Sequence, residues 1–274
     1  VYALFAVGIT IIFGVMKMVD FSACTQLVWG MYFTYLFYSW TGLNCYWAIP
    51  FVVICMGLMA WVIFKLIVRP LIGSDDTSFI LVTLGLSYFL QNLAEFVFGA
   101  DPKSVPSDIK TASIFIGDYS IGIPRLIAFV AMIVLVLGVY LLLNKTTLGR
   151  AMRATSEKRE VAQMLGINTK KTFTIAFMIG VIFAGLSGLL ITPIYYVTPT
   201  AGSMFRTTAY IAVIIGGLGD IKGALIGGLA IGIIEALVTG MISNDLGPVG
   251  VCVALLIVLY LRPQGFFGKG ERQA

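Results

Sequence analysis

Long apolar runs constrain this chain more than any motif does. Several windows carry few or no charges over about 20 residues, the length that an α-helix needs to cross a bilayer core. The 274 residues are 59% hydrophobic and 11% charged, so a water-soluble globule built from them would expose too much apolar surface. The sequence therefore predicts an all-α, polytopic membrane protein with a single domain over residues 1–274.

Apolar runs bounded by charges and turn residues predict the membrane spans. They lie near residues 1–17, 24–41, 46–68, 78–99, 123–144, 173–197, 207–218, 223–242 and 246–262. The seventh run is too short to cross comfortably, so we expect a broken or re-entrant helix near 207–222 and about eight or nine transmembrane segments. Because the chain starts at Val1 within an apolar run, part of the first helix is expected to be missing from this numbering.

The distribution of charges predicts the orientation in the membrane. Basic residues close the third and ninth spans and cluster within 145–172, and cytoplasmic loops are enriched in Lys and Arg. We therefore expect the loop 145–172 and the C-terminal tail 263–274 to be cytoplasmic. The loop 100–124, with three acidic and two basic residues, is expected outside. The net charge of +5 then reflects topology, and no nucleic acid partner is expected.

The sequence offers no enzyme constellation. It contains no histidine, which removes His-based triads and general bases. The phosphate-binding pattern G-x-x-x-x-G-K-[ST] is absent, because Gly268 and Lys269 are followed by Gly270 and Pro263 occupies the position of the first glycine. The four cysteines show no paired spacing. We therefore expect no catalytic residue, no metal site and no cofactor bound by this chain.

Polar residues inside two apolar spans are candidates for a substrate pathway. Thr83, Ser87, Gln91 and Glu95 recur at steps of four and so share one helical face. Glu235 is the deeper carboxylate. Polar groups inside a bilayer normally face a bundle interior or a water-filled path. These residues therefore either line a pathway or form hydrogen bonds in a packed interface.

A further polar stretch, 16-MKMVDFSACTQ-26, separates the first two apolar runs and contains Asp20, Ser22 and Gln26. It predicts either an ordinary polar turn or a discontinuous helix. In the second case the first N–H groups of the new helix would lack intrahelical acceptors and would face an anionic ligand. Both interpretations keep these three residues among the pathway candidates.

Glycines near the carboxy end predict close helix packing. Gly219, Gly223 and Gly227 are spaced by four, and such steps let helix backbones approach where lipid supplies no hydrophobic drive. The segment 216-GGLGDIKGALIGG-228 also contains an Asp and a Lys, which predicts a helix break near the cytoplasmic side. A tight turn between packed helices and a direct contact with substrate are both open.

The basic segment 145–172 holds seven of the 18 basic residues of the chain, against two acids. Small or apolar residues, among them Val161, Ala162 and Leu165, lie between these charges. The pattern predicts a short surface helix with one docking face. The simpler alternative is a basic loop that only fixes the topology.

The centre of this segment, Glu160 to Gly166, reads EVAQMLG and resembles the E-A-A-x-x-x-G coupling loop of bacterial ABC importer permeases. The flanking stretches 147-TLGRAMRAT-155 and 164-MLGINTKK-171 are similar to the corresponding loop of the Liv-type permeases, which import branched-chain amino acids. So are 2-YALFAVGITIIFG-14, 69-RPL-71, 89-FLQN-92 and 216-GGLGDIKGALIGGLAIGIIEAL-237. The resemblance is collinear over nearly the whole chain.

One departure from the family pattern lies between the first two spans. Where the family typically reads I-N-F-A-H-G-E, this chain has VDFSACT over residues 19–25. The Asn becomes Asp20, and the His and the Glu are lost. This change leaves the substrate open between branched-chain amino acids and a related small polar solute. Val161 replaces the first alanine of the coupling pattern and still offers an apolar contact.

The resemblance implies a permease subunit of an ATP-driven importer in the bacterial cytoplasmic (inner) membrane, surrounded by membrane lipid. Separate ATPase subunits would bind ATP and Mg. A second, related permease subunit would form a heterodimer with this chain, and an extracytoplasmic binding protein would deliver the substrate. The alternative is an ion-gradient-driven secondary transporter or channel that works without ATPase partners.

The resemblance also assigns expected roles to residues. The expected ATPase-coupling residues are Arg150, Arg153, Arg159, Glu160, Ala162 and Gly166. Among them, Gly166 would end the coupling helix in the left-handed conformation that glycine adopts readily. The expected residues of the substrate pathway are Asp20, Ser22, Gln26, Thr83, Ser87, Gln91 and Glu235.

Overall fold

The computed structural model describes residues 1–105, 113–116, 119–241, 246–262 and 265–267. The α-helices in these ranges are α1 Tyr2–Met16, α2 Ala23–Thr41, α3 Ile49–Ile63, α4 Asp76–Phe98, α5 Ile123–Lys145, α6 Thr147–Glu157, α7 Arg159–Met164, α8 Thr169–Ile191, α9 Ala201–Gly216, α10 Ile221–Met241 and α11 Gly247–Leu261. Helix α3 is preceded by a 3-10 turn, Cys45–Ala48, and is extended by a π-helical turn, Phe64–Val68, and a 3-10 turn, Arg69–Leu71. Of the tail 263–274, only 265–267 lie within the described residues.

These helices confirm the predicted polytopic helical fold. Each predicted span corresponds to one of the helices α1 to α5 or α8 to α11. Among the described residues, five helical segments are long and apolar enough to cross a membrane, and α1 and α11 are shorter apolar helices. The remaining helices, α6 and α7, occupy the basic segment 145–172. Hydropathy therefore located the membrane helices. The cluster of basic residues coincides with the connection between α5 and α8, which itself forms two short helices.

A short antiparallel hairpin lies between α4 and α5. Strand β1 is Ser113–Ile116 and β2 is Tyr119–Gly122, with Ser113 opposite Gly122. Both strands fall inside the predicted external loop 100–124. They interrupt none of the spans, so the helical architecture of the membrane region is unaffected.

Small residues place α8 at the centre of the bundle. Helices α1, α2 and α3 all pack against it. A Cβ on Gly8 would stand 2.9 Å from the carbonyl oxygen of Gly180, and a Cβ on Gly30 would stand 2.5 Å from the Cα of Gly185. The helix backbones thus meet with no side chain between them. Such close packing supplies the van der Waals attraction that holds helices together in lipid.

A tight turn joins α9 to α10, which confirms the structural interpretation of the glycine pattern. Gly217 and Gly219 have φ angles of 100° and 91°, and glycine adopts such angles without the strain that other residues meet. The Asp220 carboxyl group accepts hydrogen bonds from the N–H groups of Lys222 and Gly223, at 2.8 and 3.1 Å. Asp220 therefore caps the start of α10.

Helix α9 is longer than its hydropathy predicted. It begins at Ala201, ahead of the predicted run 207–218, because Ser203, Arg206 and Thr207 make its first turns polar. The break expected within this run is not observed, because α9 is continuous up to Gly216. The chain turns only after it, at 217–220.

Contacts at the helix termini show which segments share an end of the bundle. A Cβ on Gly14, near the end of α1, would lie 3.1 Å from the carbonyl oxygen of Gly219 in the α9–α10 turn. The N–H of Phe267 donates to the Gly216 carbonyl at 3.2 Å. Along α10, Gly223 lies against the Gly216 carbonyl and Gly227 against the Ala212 carbonyl of α9. Helices α9 and α10 therefore run in opposite directions, as the alternation of spans requires.

Candidate functional site

The connection between α1 and α2 carries a buried polar cluster. Helix α1 ends at Met16, Lys17 takes a left-handed φ of 59°, and α2 begins at Ala23. Between them, Asp20 is 2% exposed and Ser22 is fully buried. Polar side chains at such depth need partners inside the protein. We call the following residues the connection cluster: Asp20, Ser22, Thr25, Gln26, Thr83, Ser87, Arg206 and Tyr210.

The Asp20 carboxyl group organises the start of α2. Its Oδ1 accepts hydrogen bonds from the Ser22 N–H at 2.8 Å and from the Ser22 hydroxyl at 2.6 Å. Gln26 Nε2 donates to Asp20 Oδ2 at 3.2 Å and to Ser22 Oγ at 2.7 Å. The chain's own carboxyl group therefore binds the residue just before α2. Residues 16–26 form a structured polar turn, and an anion site at the start of α2 stays a prediction.

Helix α4 turns part of its polar face toward the cluster. Thr25 Oγ1 and Ser87 Oγ lie 2.7 Å apart, and Thr83 and Ser87 are 1% and 2% exposed. One turn further along, Gln91 is half-buried, and after a second turn Glu95 is exposed. The face predicted from the spacing of four therefore faces the interior only over its first half.

Glu235 lies apart from the connection cluster. The Tyr2 hydroxyl donates to Glu235 Oε1 at 3.1 Å, which joins α10 to the first turn of α1. Helix α1 has 15 residues, so it separates Tyr2 from the α1–α2 connection by about 22 Å at 1.5 Å per residue. The structure thus brings most of the predicted pathway residues together but leaves Glu235 in a separate contact between α1 and α10.

Two residues of α9 complete the cluster, and sequence reasoning missed both. The Tyr210 hydroxyl donates to the Asp20 carbonyl at 2.6 Å, and Arg206 Nη2 donates to Ser87 Oγ at 3.4 Å. Arg206 stands just outside the predicted run 207–218, so the hydropathy pattern did not place it on a membrane helix. Its spacing of four from Tyr210, which places both on one helical face, was the available signal.

Removing the Asp20 carboxyl group is expected to destabilise the bundle. In Asp20→Ala, the Ser22 N–H and the Gln26 amide lose an acceptor, and a buried donor without a partner costs about 1–3 kcal/mol. We expect the free energy of unfolding in mixed detergent micelles to fall by about 3 kcal/mol. Asp75→Ala is the control, because Asp75 is exposed and makes no side-chain capping hydrogen bond. Equal unfolding curves for the two variants would contradict this role of Asp20.

Helices α6 and α7 form a bent segment between α5 and α8. The Thr146 hydroxyl oxygen accepts a hydrogen bond from the Gly149 N–H at 3.2 Å and so caps α6. The chain bends at Lys158, which has extended φ and ψ angles of −145° and 103°, and α7 follows. We call residues 147–166 the α6–α7 segment.

Gly166 ends this segment in the expected conformation. Its φ is 79°, and the N–H of the next residue, Ile167, donates to the Ala162 carbonyl at 3.0 Å. This is the backbone closure that left-handed glycine provides at the end of a helix. Asn168 then accepts a hydrogen bond from the Lys171 N–H at 3.0 Å and caps α8.

The α6–α7 segment exposes apolar side chains at its far end. Val161, Met164 and Leu165 are 47%, 86% and 74% exposed, whereas Ala162 is 2% exposed. Ala162 therefore packs within the chain and does not lie on the exposed face where the sequence pattern placed it. Met164, which the pattern did not single out, takes that position. We call Val161, Met164 and Leu165 the apolar tip.

Charged residues anchor and surround the apolar tip. Arg153 Nη1 donates to Asn144 Oδ1 at 2.7 Å, which ties α6 to α5. The Arg159 guanidinium lies 5.6 Å from the centre of the Phe173 ring, which ties α7 to α8. Arg150 and Glu160 are exposed. Two of the three predicted coupling arginines thus hold the segment to the membrane helices.

A cavity of about 150 Å³ lies between the α6–α7 segment and the end of α1. Its lining includes Lys17 and Met18 from the α1–α2 connection, Thr155 from α6 and Arg159. The segment therefore borders the same connection that carries Asp20.

Comparison with known proteins identifies relatives along the whole chain. The family model described as branched-chain amino acid transport system, permease component, matches residues 1–261. The high-affinity branched-chain amino acid transport system permease protein LivH of Escherichia coli (strain K12) is 29% identical, over 98% of this chain and 92% of the relative. The corresponding protein BraD of Pseudomonas aeruginosa is 27% identical over the same shares. A probable LivH permease of Methanocaldococcus jannaschii is 30% identical over 97% of this chain and 88% of its own length.

No solved structure matches the chain. The matched range 1–261 ends at the last residue of α11 and includes both the connection cluster and the α6–α7 segment. The two candidate sites therefore lie within the range that the family model matches. The chain belongs to the family of permease components of branched-chain amino acid transport systems.

Proposed function

We propose that this chain is the membrane-spanning permease subunit of an ATP-driven importer for branched-chain amino acids or a related small polar solute. Relatives that cover nearly its whole length are named as permease proteins of branched-chain amino acid transport systems. The observation that carries the ATP-driven mechanism is the apolar tip, in which Met164 and Leu165 are mostly exposed. A contiguous exposed apolar surface marks an interaction site.

ATPase subunits dock on the apolar tip and carry the ATP and Mg. Their closure displaces the α6–α7 segment, which Arg153 links to α5 and Arg159 links to α8. The cavity beside Lys17 leaves room for this displacement. The α1–α2 connection then shifts Asp20 and the start of α2 against α4 and α9. This movement switches the pathway between outward-open and inward-open states.

The connection cluster lines the polar part of the substrate pathway. Ser22, Gln26 and Ser87 offer hydroxyl and amide groups inside an otherwise apolar bundle. Gln26 Oε1 is buried and has no hydrogen-bond partner in the described part of the chain. Buried polar atoms are rarely left unpaired, so this oxygen is suited to accept a hydrogen bond from a passing polar solute.

A second, related permease subunit completes the pathway as a heterodimer, and an extracytoplasmic binding protein delivers the solute. The complex lies in the bacterial cytoplasmic membrane, with the α6–α7 segment and the tail 263–274 on the cytoplasmic side. The basic residues of 145–172 support this orientation. The hydrogen bond from Phe267 to Gly216 supports it as well, because it holds 265–267 at the end of the bundle where α10 begins.

No observation favours an ion-gradient mechanism. The two carboxyl groups that could bind a coupling ion, those of Asp20 and Glu235, lie apart, and each has partners within the chain. Asp20 is bound by Ser22 and Gln26, and Glu235 is bound by Tyr2. A coupling ion would have to displace these hydrogen bonds at either site.

Purification and reconstitution test the proposed function. A tag on this chain is expected to recover an ATPase and a second permease, and vesicles containing the complex should take up L-leucine only with ATP and the binding protein. An artificial proton or sodium gradient without ATP is expected to produce no uptake. Gradient-driven uptake by this chain alone would contradict the proposal and establish the secondary-transporter alternative.

A further inference from the structure

Arg206 is a cation that has no counterion among the residues described by the structure. The side chain is half-buried on α9, and its Nε is buried with no hydrogen-bond partner. Its polar neighbours include the Ser87 hydroxyl, 3.4 Å from Nη2, the Cys24 thiol and the Tyr210 hydroxyl, all of them neutral groups. A charged side chain within membrane helices is costly, and it normally pairs with an opposite charge or serves a ligand.

The carboxyl group of Asp20 does not supply the missing counterion. Its two oxygens accept hydrogen bonds from Ser22 and Gln26, which lie at the start of α2 and not on α9. Tyr210, one turn beyond Arg206, reaches only the backbone carbonyl of Asp20. The cluster thus keeps its acid and its guanidinium as separate groups.

The Arg206 side chain is only half-buried, so part of it meets the surface of the bundle. Ser203, one turn earlier on the same face of α9, is exposed. The hydrogen bond to Ser87 reaches across from α9 to α4, beside the buried pair of Ser87 and Thr25. Arg206 therefore lies where an exposed surface of the bundle meets the connection cluster.

We propose that Arg206 binds the carboxylate of the transported amino acid in the membrane pathway. A guanidinium presents several N–H donors in a planar fork that matches a carboxylate. The buried Nε, which has no partner in the described part of the chain, supplies one of them once alternating access opens this part of the bundle. The assignment rests on the proposed function, because it requires that the solute be an amino acid. It extends that function by placing substrate selection in this chain, in addition to any selection by a binding protein.

Direct binding tests the assignment. The tagged complex is purified into lipid nanodiscs, washed free of the binding protein and titrated with radiolabelled L-leucine. We expect saturable binding that unlabelled L-leucine displaces at least tenfold better than L-leucinol, which keeps the ammonium but lacks the carboxylate. Arg206→Gln is expected to weaken L-leucine binding at least tenfold, about the loss of one charge-assisted hydrogen bond. Arg206→Lys should retain part of the affinity, since it keeps the charge.

Arg125→Gln is the matched control, because Arg125 is an exposed arginine at the start of α5, and it should bind as the unaltered complex does. Equal L-leucine affinity for Arg206→Gln, or equal displacement by L-leucinol, overturns the role of Arg206 and leaves the proposed function standing. Absence of saturable amino acid binding to the unaltered complex overturns the proposed substrate class and the role of Arg206 together. If Arg206→Gln does not assemble, the role of Arg206 is judged on the unaltered complex, by whether L-leucinol displaces labelled L-leucine as well as unlabelled L-leucine does.

Discussion

Replacing the two most exposed residues of the apolar tip by glutamate, Met164→Glu with Leu165→Glu, is expected to abolish transport-coupled ATP hydrolysis. Both side chains stand clear of the chain, at 86% and 74% exposure, so the change does not disturb packing within the permease. Central apolar anchors of an interface contribute about 2 kcal/mol or more each. Two buried charges in their place should weaken ATPase docking by at least about a hundredfold. The measurement is the rate of ATP hydrolysis stimulated by the loaded binding protein in reconstituted vesicles.

Met241→Glu is the matched control for this variant. Met241 is 82% exposed and ends α10, at the terminus opposite the α9–α10 turn. The control should retain normal hydrolysis, and both proteins should reach the membrane in equal amounts. Normal coupling in the double variant would mean that the apolar tip is not where the ATPase docks.

The second large effect is expected at the contact between α2 and α8. In Gly30→Ala, the new methyl group would lie 2.5 Å from the Cα and 2.8 Å from the carbonyl carbon of Gly185. These are backbone atoms, so relief requires α2 to move away from the central helix. Overpacking of this kind costs about 3 kcal/mol. We expect most of the Gly30→Ala protein to be lost from the membrane fraction, and the rest to unfold at lower temperature in detergent.

Gly138→Ala is the control for Gly30→Ala, since both glycines lie inside helices and the Cβ at Gly138 would meet nothing within 4 Å. There the substitution should be neutral or should stabilise the protein by up to about 1 kcal/mol through helix propensity. Similar yields of the two variants would show that the α2–α8 contact can relax at little cost.

The membrane helices and the α9–α10 turn were predictable from sequence because each depends on local properties. Apolar length fixes a span, and the glycines at 217 and 219 adopt the positive φ angles that a tight turn requires. The left-handed end at Gly166 follows from the same freedom of glycine. Where local composition misled, as at the polar first turns of α9, the helix began earlier than its hydropathy indicated.

Contacts between distant parts of the chain were not predictable in this way. Arg206 meets Ser87 across 119 positions, and Tyr2 meets Glu235 across 233. Their pairing depends on how α1, α4, α9 and α10 are arranged, which one sequence does not specify. The orientation of α7 is a second case, because six residues are too few for periodicity to show that Ala162 faces inward.

The departure at Asp20 gains a physical meaning from the structure. The family pattern has Asn and Ala where this chain has Asp20 and Ser22, and these two side chains bind each other at 2.6 Å. Gln26 contacts both. The changed residues thus form one network that holds the start of α2. The departure from the family pattern therefore alters how α2 begins, and Asp20 is not an isolated charge in the pathway.

Photo-cross-linking from the apolar tip tests the central claim most directly, because it asks what covers this surface in the membrane. A photoreactive amino acid at position 165 is activated in intact membranes, and the attached protein is identified by mass spectrometry. We predict an ATPase subunit as the main adduct, which is absent when the photoreactive residue stands at position 241. Adducts to lipid alone, or the same adducts from both positions, would contradict an ATPase joint at the α6–α7 segment.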